Sequence, residues 1–386
     1  MRHSWWGRAT PLVVLVVLLA FLLSPATPRH VLADEVCGGI VDAAIASDAA
    51  TIAGGELSIL PPLPVVRIDP PDGIDFAVVP FEDPSWQLYW LGLTWLIPLA
   101  MSGDGADRNL AVDYAGAWQS QTTSTADDVV GWDEGTNLRR LQSLLCVWIR
   151  KGDPALLAPI DASIAAAQDP DRYPDQPFPN NHTIMINQAI MTAGKALDRE
   201  DLIDFALDRL EHDWAEVWQP EWFDREQSSA YLGTNISLWA SAANRLHGWG
   251  RDETADALDD RLDLARQANA LLVEPDDGIA AIGDSHPVEP RPETVERDGP
   301  LEIVDERGGW ALGRSSWDDD TVHWIVRFGP PRTAHGHYDA TSVTWSADGH
   351  RVLVGPGFFS YNRNSWHAGW DHTPQAHNTA SPPYPR

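Results

Sequence analysis

The sequence predicts an α+β chain in which an incomplete (α/α) toroid of helices is followed by an antiparallel β-sandwich-like region. Three observations carry that expectation. From about Ser85 to Leu272 the apolar residues recur at helical spacing, Glu274–Pro300 is rich in Pro, Gly and acid, and from Leu301 the apolar period becomes two.

Taken in order, residues 1–33 read as a signal peptide. Arg2 and Arg8 give a basic start, Pro11–Leu23 is an apolar run of 13, and "VLA" at 31–33 offers a small-residue cleavage site before Asp34. Such a run is too short to span a bilayer, and no later segment is long and apolar enough to do so. The mature chain is expected to be secreted or periplasmic, with no membrane partner after cleavage. Export permits a disulfide between Cys37 and Cys146, the two cysteines, while the apolar run "LQSLLCVW" equally suits Cys146 to a core position.

Residues 34–273 form the expected helical domain. "WQLYWLGLTWLIPLAMSGD", "TNLRRLQSLLCVWIRKGD", "NHTIMINQAIMTAGKALDRED" and "QSSAYLGTNISLWASAANRLHGWGRDE" are helix-length apolar stripes closed by Gly or a charged turn. Short turns between them imply antiparallel helix pairs. Residues 274–300 read as a linker or long loop. Residues 301–386 form the β-domain, with "GGWALGRSS", "TVHWIVRF", "ATSVTWS" and "RVLVG" as strands. Eighty-six residues are few for a self-sufficient sandwich, so this domain is expected to be partial and to lean on the helices.

The net charge is -29, and seven of the 13 histidines lie after residue 300. A field of that sign repels phosphate, which excludes nucleic acid as a natural partner and disfavours heavily sulfated polymers. Most of the acid is read as solvated helix surface.

Three polar groupings stand out. In "TAHGHYDATSVTW" (333–345), His335, His337 and Asp339 are spaced by two and would share one face if the stretch is extended. They could form a metal site, a cleft base or a packed polar face. "PFPNNHTIMINQ" puts Asn180, Asn181 and His182 at a helix start, where free N–H groups and the dipole favour an anion, or where one asparagine is simply the cap. In "DREQSSAY", Gln227 and Tyr231 fall one helical turn apart, as a site pair or as packing residues.

Together these segments resemble a known family. "HGHYDATSVTWSADGHRVLVGPGFFSYN…AHNT", with "NNH", "EQSSAY" and "IGDS" upstream in order, is similar to the heparinase II/III-like polysaccharide lyases, which include oligo-alginate lyases. The resemblance covers roughly Trp118 to Asn378 and is strongest after Gly308. It implies a toroid joined to a β-sandwich, with the cleft between them, and a uronate polysaccharide as substrate. It also implies that Asn181 and His182 bind and neutralise the uronate carboxylate. Tyr231 would take the C5 proton or protonate the leaving oxygen, and His335 would be the cleft histidine. A tyrosine acts as base only if neighbouring positive charge lowers its pKa, a role for protonated His335 or Arg332. Trp132 and Arg139 in "WDEGTNLRR", with Gln227 and Arg332, complete the residues expected to bind substrate. A structural Zn2+ is implied, with His337 and His377 as ligands. Where the family carries an aspartate ligand in "VDPG", this chain has Gly355, so the set needs Asp339, Asp371 or His372 to move in.

The expected activity is β-elimination from a uronic-acid-containing polysaccharide, leaving a 4,5-unsaturated end. A carbohydrate-binding relative without turnover and a toroidal glycoside hydrolase are the alternatives. The second needs two opposed carboxylates, and no such pair is evident in the sequence.

Overall fold

A computed structural model describes residues 36–37, 45–122, 131–170, 180–218, 222–330, 333–361 and 365–380. The signal-peptide reading of residues 1–33 and the position of Arg332 lie outside the described residues.

The described chain opens with α1 (Ala49–Ala53) and a two-stranded ribbon, β1 (Glu56–Leu57) and β2 (Val66–Arg67). The stripe from Trp86 to Asp104 is not one helix. It divides into α2 (Pro84–Leu91), a 3-10 turn (Thr94–Leu96) and α3 (Ile97–Met101). The reason is local: Gly92 caps α2, Leu93 takes a left-handed φ of 55°, and Pro98 in the first turn of α3 lacks a donor.

Seven long helices follow: α4 (Gly105–Thr122), α5 (Glu134–Lys151), α6 (Leu157–Gln168), α7 (Asn181–Leu197), α8 (Glu200–Val217), α9 (Ser229–Gly248) and α10 (Asp252–Leu271). α5 packs on α7 and α7 on α9, while α6, α8 and α10 pair with them in turn. Burial tells the two rows apart. α7 is buried nearly all round, from Thr183 through Gly194, whereas α10 buries a stripe of Ala255, Leu258, Leu262 and Ala265. A helix buried on all sides belongs to an inner row, and an amphipathic one to the outer. This is the toroid arc. Local chemistry sets its ends: Asp133 caps α5 by accepting from the Thr136 N–H, and Gly152 closes it with a left-handed φ of 70°. Cys37 and Cys146 are joined in a disulfide that ties the N-terminal segment to α5.

The β-region is a five-stranded antiparallel meander of β3 (Glu302–Asp305), β4 (Trp310–Arg314), β5 (His323–Arg327), β6 (Val343–Ala347) and β7 (His350–Leu353). β3 lies in "LEIVDE", a strand the sequence reading did not name. Register places Ile303, Leu312, Ile325 and Thr344 in one cross-strand row, and all four are buried against the helices. The opposite face carries Val304, Ala311, Val326 and Val343, with Trp324, Trp345 and Leu353 in the next row. Among the described residues no second sheet covers that face. The inner face docks by Phe223 stacked on Trp310 (centroids 4.5 Å apart), by Arg314 donating to the Val273 carbonyl, and by a His323 bond to the Leu271 carbonyl. Helices and sheet share one core.

The acidic segment between α10 and β3 is irregular but not loosely solvated. Glu274, Ile282, Asp284 and Ser285 are buried, and the Ser285 hydroxyl bonds Ser228, Ser229 and the Ala230 N–H at the start of α9.

Candidate functional site

The inner helices begin at one place. Asn180 caps α7 in a capping box: its side chain accepts from the His182 N–H at 2.8 Å, and the Thr183 hydroxyl accepts from the Asn180 N–H. The Asn181 N–H donates to Glu226 Oε1 at 2.6 Å, just ahead of α9, and a Cβ on Gly135 in α5 would lie 3.2 Å from the His182 ring. The free N-terminal N–H groups expected to receive an external anion are therefore already taken, by the cap and by Glu226. The protein supplies its own carboxyl there.

Three chain segments are stitched across this end. Asp284 donates its N–H to the His335 carbonyl at 2.9 Å, Ser229 donates to the Ile282 carbonyl, and Thr333 donates to Gln227 Oε1 at 3.1 Å. Gly283 is required at the crossing, with φ 62° and a Cβ position against the carbonyls of Gln227 and His335. Gln227 does not lie one turn before Tyr231 on a helix. Ser228 caps α9, and Gln227 precedes it with φ 60°, buried, its side chain bonding the Pro330 carbonyl and the Thr333 N–H.

Residues 333–342 are a loop and not a strand, which corrects the one-face geometry expected for its side chains. A turn closed by the Gly336 N–H on the Thr333 carbonyl takes in His335, and the chain bends again at Tyr338. The three side chains consequently part. His335 meets Tyr231 (ring centroids 3.4 Å apart) and places Nδ1 3.5 Å from Glu226 Oε2. His337 sets Nε2 3.0 Å from Asp284 Oδ1, and Asp339 faces Arg327.

Above them opens a groove of about 570 Å³, lined by Asn181, His182, Asp284, His335, Tyr361 and His372 among others. Tyr231 stands behind it and reaches it through the Tyr361 hydroxyl, 2.8 Å from its own; Tyr361 also donates to Asp284 Oδ2 at 3.2 Å. Burial raises the pKa of both phenols. For Tyr231 the Tyr361 bond and Arg139 pull the other way, while Glu226 and Asp284 add to the rise. The lowered tyrosine pKa that a phenolate base needs is absent, so these phenols are suited to giving protons. His182 is pushed down to about 4 by burial, then by the Arg139 charge, against Asp133. It is a neutral hydrogen-bonding ring at neutral pH and cannot cancel a carboxylate's charge.

Glu226 and Asp224, both buried, share Asn235 as donor. Desolvation, and for Glu226 the Asp224 charge next, raise these carboxyls above their usual range. Neither Glu226 nor Tyr361 was assigned a role from sequence, although both lie in the quoted motifs; nothing in a one-dimensional pattern says which side of the His335 ring a glutamate reaches.

Trp132 packs in the helical core with Trp118, the two rings flanking the Arg140 guanidinium, and is not among the groove residues. Arg139 donates to the Gly135 carbonyl and lies over the Tyr89 ring, where its charge is felt by His182 and Tyr231. It acts from behind the groove wall.

The zinc donor set implied by the resemblance does not assemble. His337 and His377 have ring centroids 5.3 Å apart, and a Cβ on Gly355 would fall on the Ala281 carbonyl oxygen, leaving no room there for an aspartate. His337 Nδ1 and His377 Nε2 are buried without hydrogen-bond partners among the described residues. Two imidazoles are short of the four-coordinate set that structural zinc takes.

A helical toroid arc closed at one end by an antiparallel sheet, with the groove between, defines a class. Residues 306–381 match the family described as Heparinase II/III-like, C-terminal. In fold the chain is similar to the heparan sulfate lyase HepC from Pedobacter heparinus (TM-score 0.62, 14% identity, 85% of this chain and 58% of that one). It is likewise similar to heparinase III (TM-score 0.62, 14% identity, 92% of this chain and 63% of that one). The chain thus spans about three fifths of the length of these solved proteins. No curated protein matches it.

Proposed function

We propose that this chain is an exported polysaccharide lyase that cleaves a uronic-acid-containing glycan by β-elimination. The observation that carries the reading is the Tyr231–His335 pair, joined from α9 and the loop leading into β6, with His335 lining the groove and Tyr231 behind it. His335, whose imidazole offers a nitrogen acceptor, removes the C5 proton. The C5–H electron pair forms the C4–C5 double bond, the C4–O4 bond breaks, and O4 takes a proton from the Tyr231 hydroxyl, directly or through Tyr361. Asn181 and His182 offer hydrogen bonds to the carboxylate as charge spreads onto it; losing one such donor costs about 3–4 kcal/mol in barrier. The absence of a long apolar helix among the described residues is compatible with an exported chain.

The test is incubation with alginate, heparan sulfate, hyaluronan and chondroitin, following absorbance of the conjugated double bond. Rising absorbance that Tyr231→Phe abolishes supports the lyase. Reducing ends without that chromophore, or binding without either, overturn it in favour of hydrolysis or of a binding relative.

A further inference from the structure

Asp284, His337 and His372 come from three separate segments, the buried acidic loop, the loop leading into β6 and the stretch after α11 (Trp366–Trp370). One ligand atom from each lies within 4.8 Å of the others. His337 Nε2 and His372 Nε2 stand 3.0 and 3.3 Å from the same oxygen, Asp284 Oδ1. Tetrahedral zinc with bonds of about 2.0–2.1 Å separates its donors by roughly 3.3 Å. The outer layer is built as well. His372 Nδ1 is 2.7 Å from Asp371 Oδ1, and the other Asp371 oxygen accepts the Phe359 N–H, so a buried carboxylate fixes the ring with Nε2 facing inward. Asp284 and His372 both line the groove.

We infer that these three residues bind a borderline divalent transition ion of the zinc type at the groove edge, with an open fourth position. The donors differ from the set the resemblance implies: His337 uses the ring nitrogen facing Asp284, His377 takes no part, and Gly355 needs no replacement. Three protein donors and an open position are the pattern of a reactive site and not of a closed structural one. Resting on the lyase reading, one consequence is a positive partner for a substrate carboxylate, since the described groove lining contains no Lys or Arg.

The experiment is zinc(II) titration of the metal-stripped full chain without polysaccharide, so it stands or falls apart from the lyase assay. One equivalent is expected to bind. Asp284→Asn and His372→Gln should each weaken binding at least a hundredfold, Asp371→Asn ten- to a hundredfold, and His377→Gln less than threefold. If variants at Asp284 do not fold, cobalt(II) in the wild type serves: tetrahedral-type visible bands, and X-ray absorption counting two imidazoles and a carboxylate, support the site. A wild type that binds no zinc, or that prefers magnesium or calcium equally, reduces the cluster to a hydrogen-bonded His–Asp–His group and overturns the inference. Loss of zinc in His377→Gln with retention in Asp284→Asn also overturns it.

Discussion

The Tyr231 phenol and the His335 imidazole lie with ring centroids 3.4 Å apart at a tilt of 41°, and the Tyr231 hydroxyl bonds that of Tyr361. The start of α9 and the loop leading into β6 thus bring a proton donor and a proton acceptor together, His335 lining the groove and Tyr231 behind it. Tyr231→Phe keeps the ring packing and removes only the hydroxyl, with its bond to Tyr361. Turnover is expected to fall by about 10²–10⁴, the usual worth of general acid–base catalysis, with the thermal midpoint nearly unchanged. Tyr361→Phe should also slow turnover, and an unaffected rate in that variant shows that Tyr231 delivers its proton without the second phenol.

Glu226 connects two parts of this arrangement. Oε1 accepts from the Asn181 N–H and from Asn235, and Oε2 faces His335 Nδ1 at 3.5 Å. Glu226→Gln preserves the shape and an acceptor for Asn181. It should fold normally, lower kcat at least tenfold with KM changed less than threefold, and shift the acid limb of the pH profile. Glu226→Ala should in addition lose about 1–3 kcal/mol of stability, because buried donors are left unmade. Urea unfolding and steady-state kinetics on both variants separate the two effects.

His323 gives a pH dependence that does not involve turnover. Burial brings it down to about 4, opposed by its bond to the Leu271 carbonyl. The unfolded chain protonates this ring first, near pH 6.5, so its contribution is complete above 6.5 and is lost as pH falls toward 4. Between pH 7 and 5 the wild type should lose on the order of 2 kcal/mol through this group alone. Urea midpoints of His323→Gln across that range should be flatter than wild type by this amount, and parallel curves refute the assignment.

Gly355 is held by packing. A Cβ there meets the Ala281 carbonyl oxygen, so Gly355→Asp should destabilise by about 1–3 kcal/mol and leave zinc affinity no higher. A stable Gly355→Asp chain with tighter zinc binding contradicts both statements.

Much of the fold was legible because period and caps are local signals. Asp133 and Gly152 delimit α5, Asn180 starts α7, and alternation marks β5 and β6. The split of α2 from α3 was less so, since Leu93 enters a conformation that its side chain does not announce. At the site, spacing by two would have put His335, His337 and Asp339 on one face of an extended chain, but a turn at His335 and a bend at Tyr338 give them different partners. Asp284 illustrates the limit most plainly. "IGDS" was recognisable as a block, yet its meaning depends on His337 and His372, which only the folded chain brings beside it.

The sheet's outward face, with Val304, Trp345, Val352 and Leu353 each more than a third exposed, has a practical corollary for handling. Exposed contiguous apolar strand surface seeks cover, while a net charge of -29 pushes copies apart. At about 0.1 M ionic strength that repulsion extends only about 10 Å, and at 1 M about 3 Å. Colloidal behaviour should therefore hinge on buffer composition: dilute electrolyte keeps particles monodisperse, and added salt produces rising light scattering.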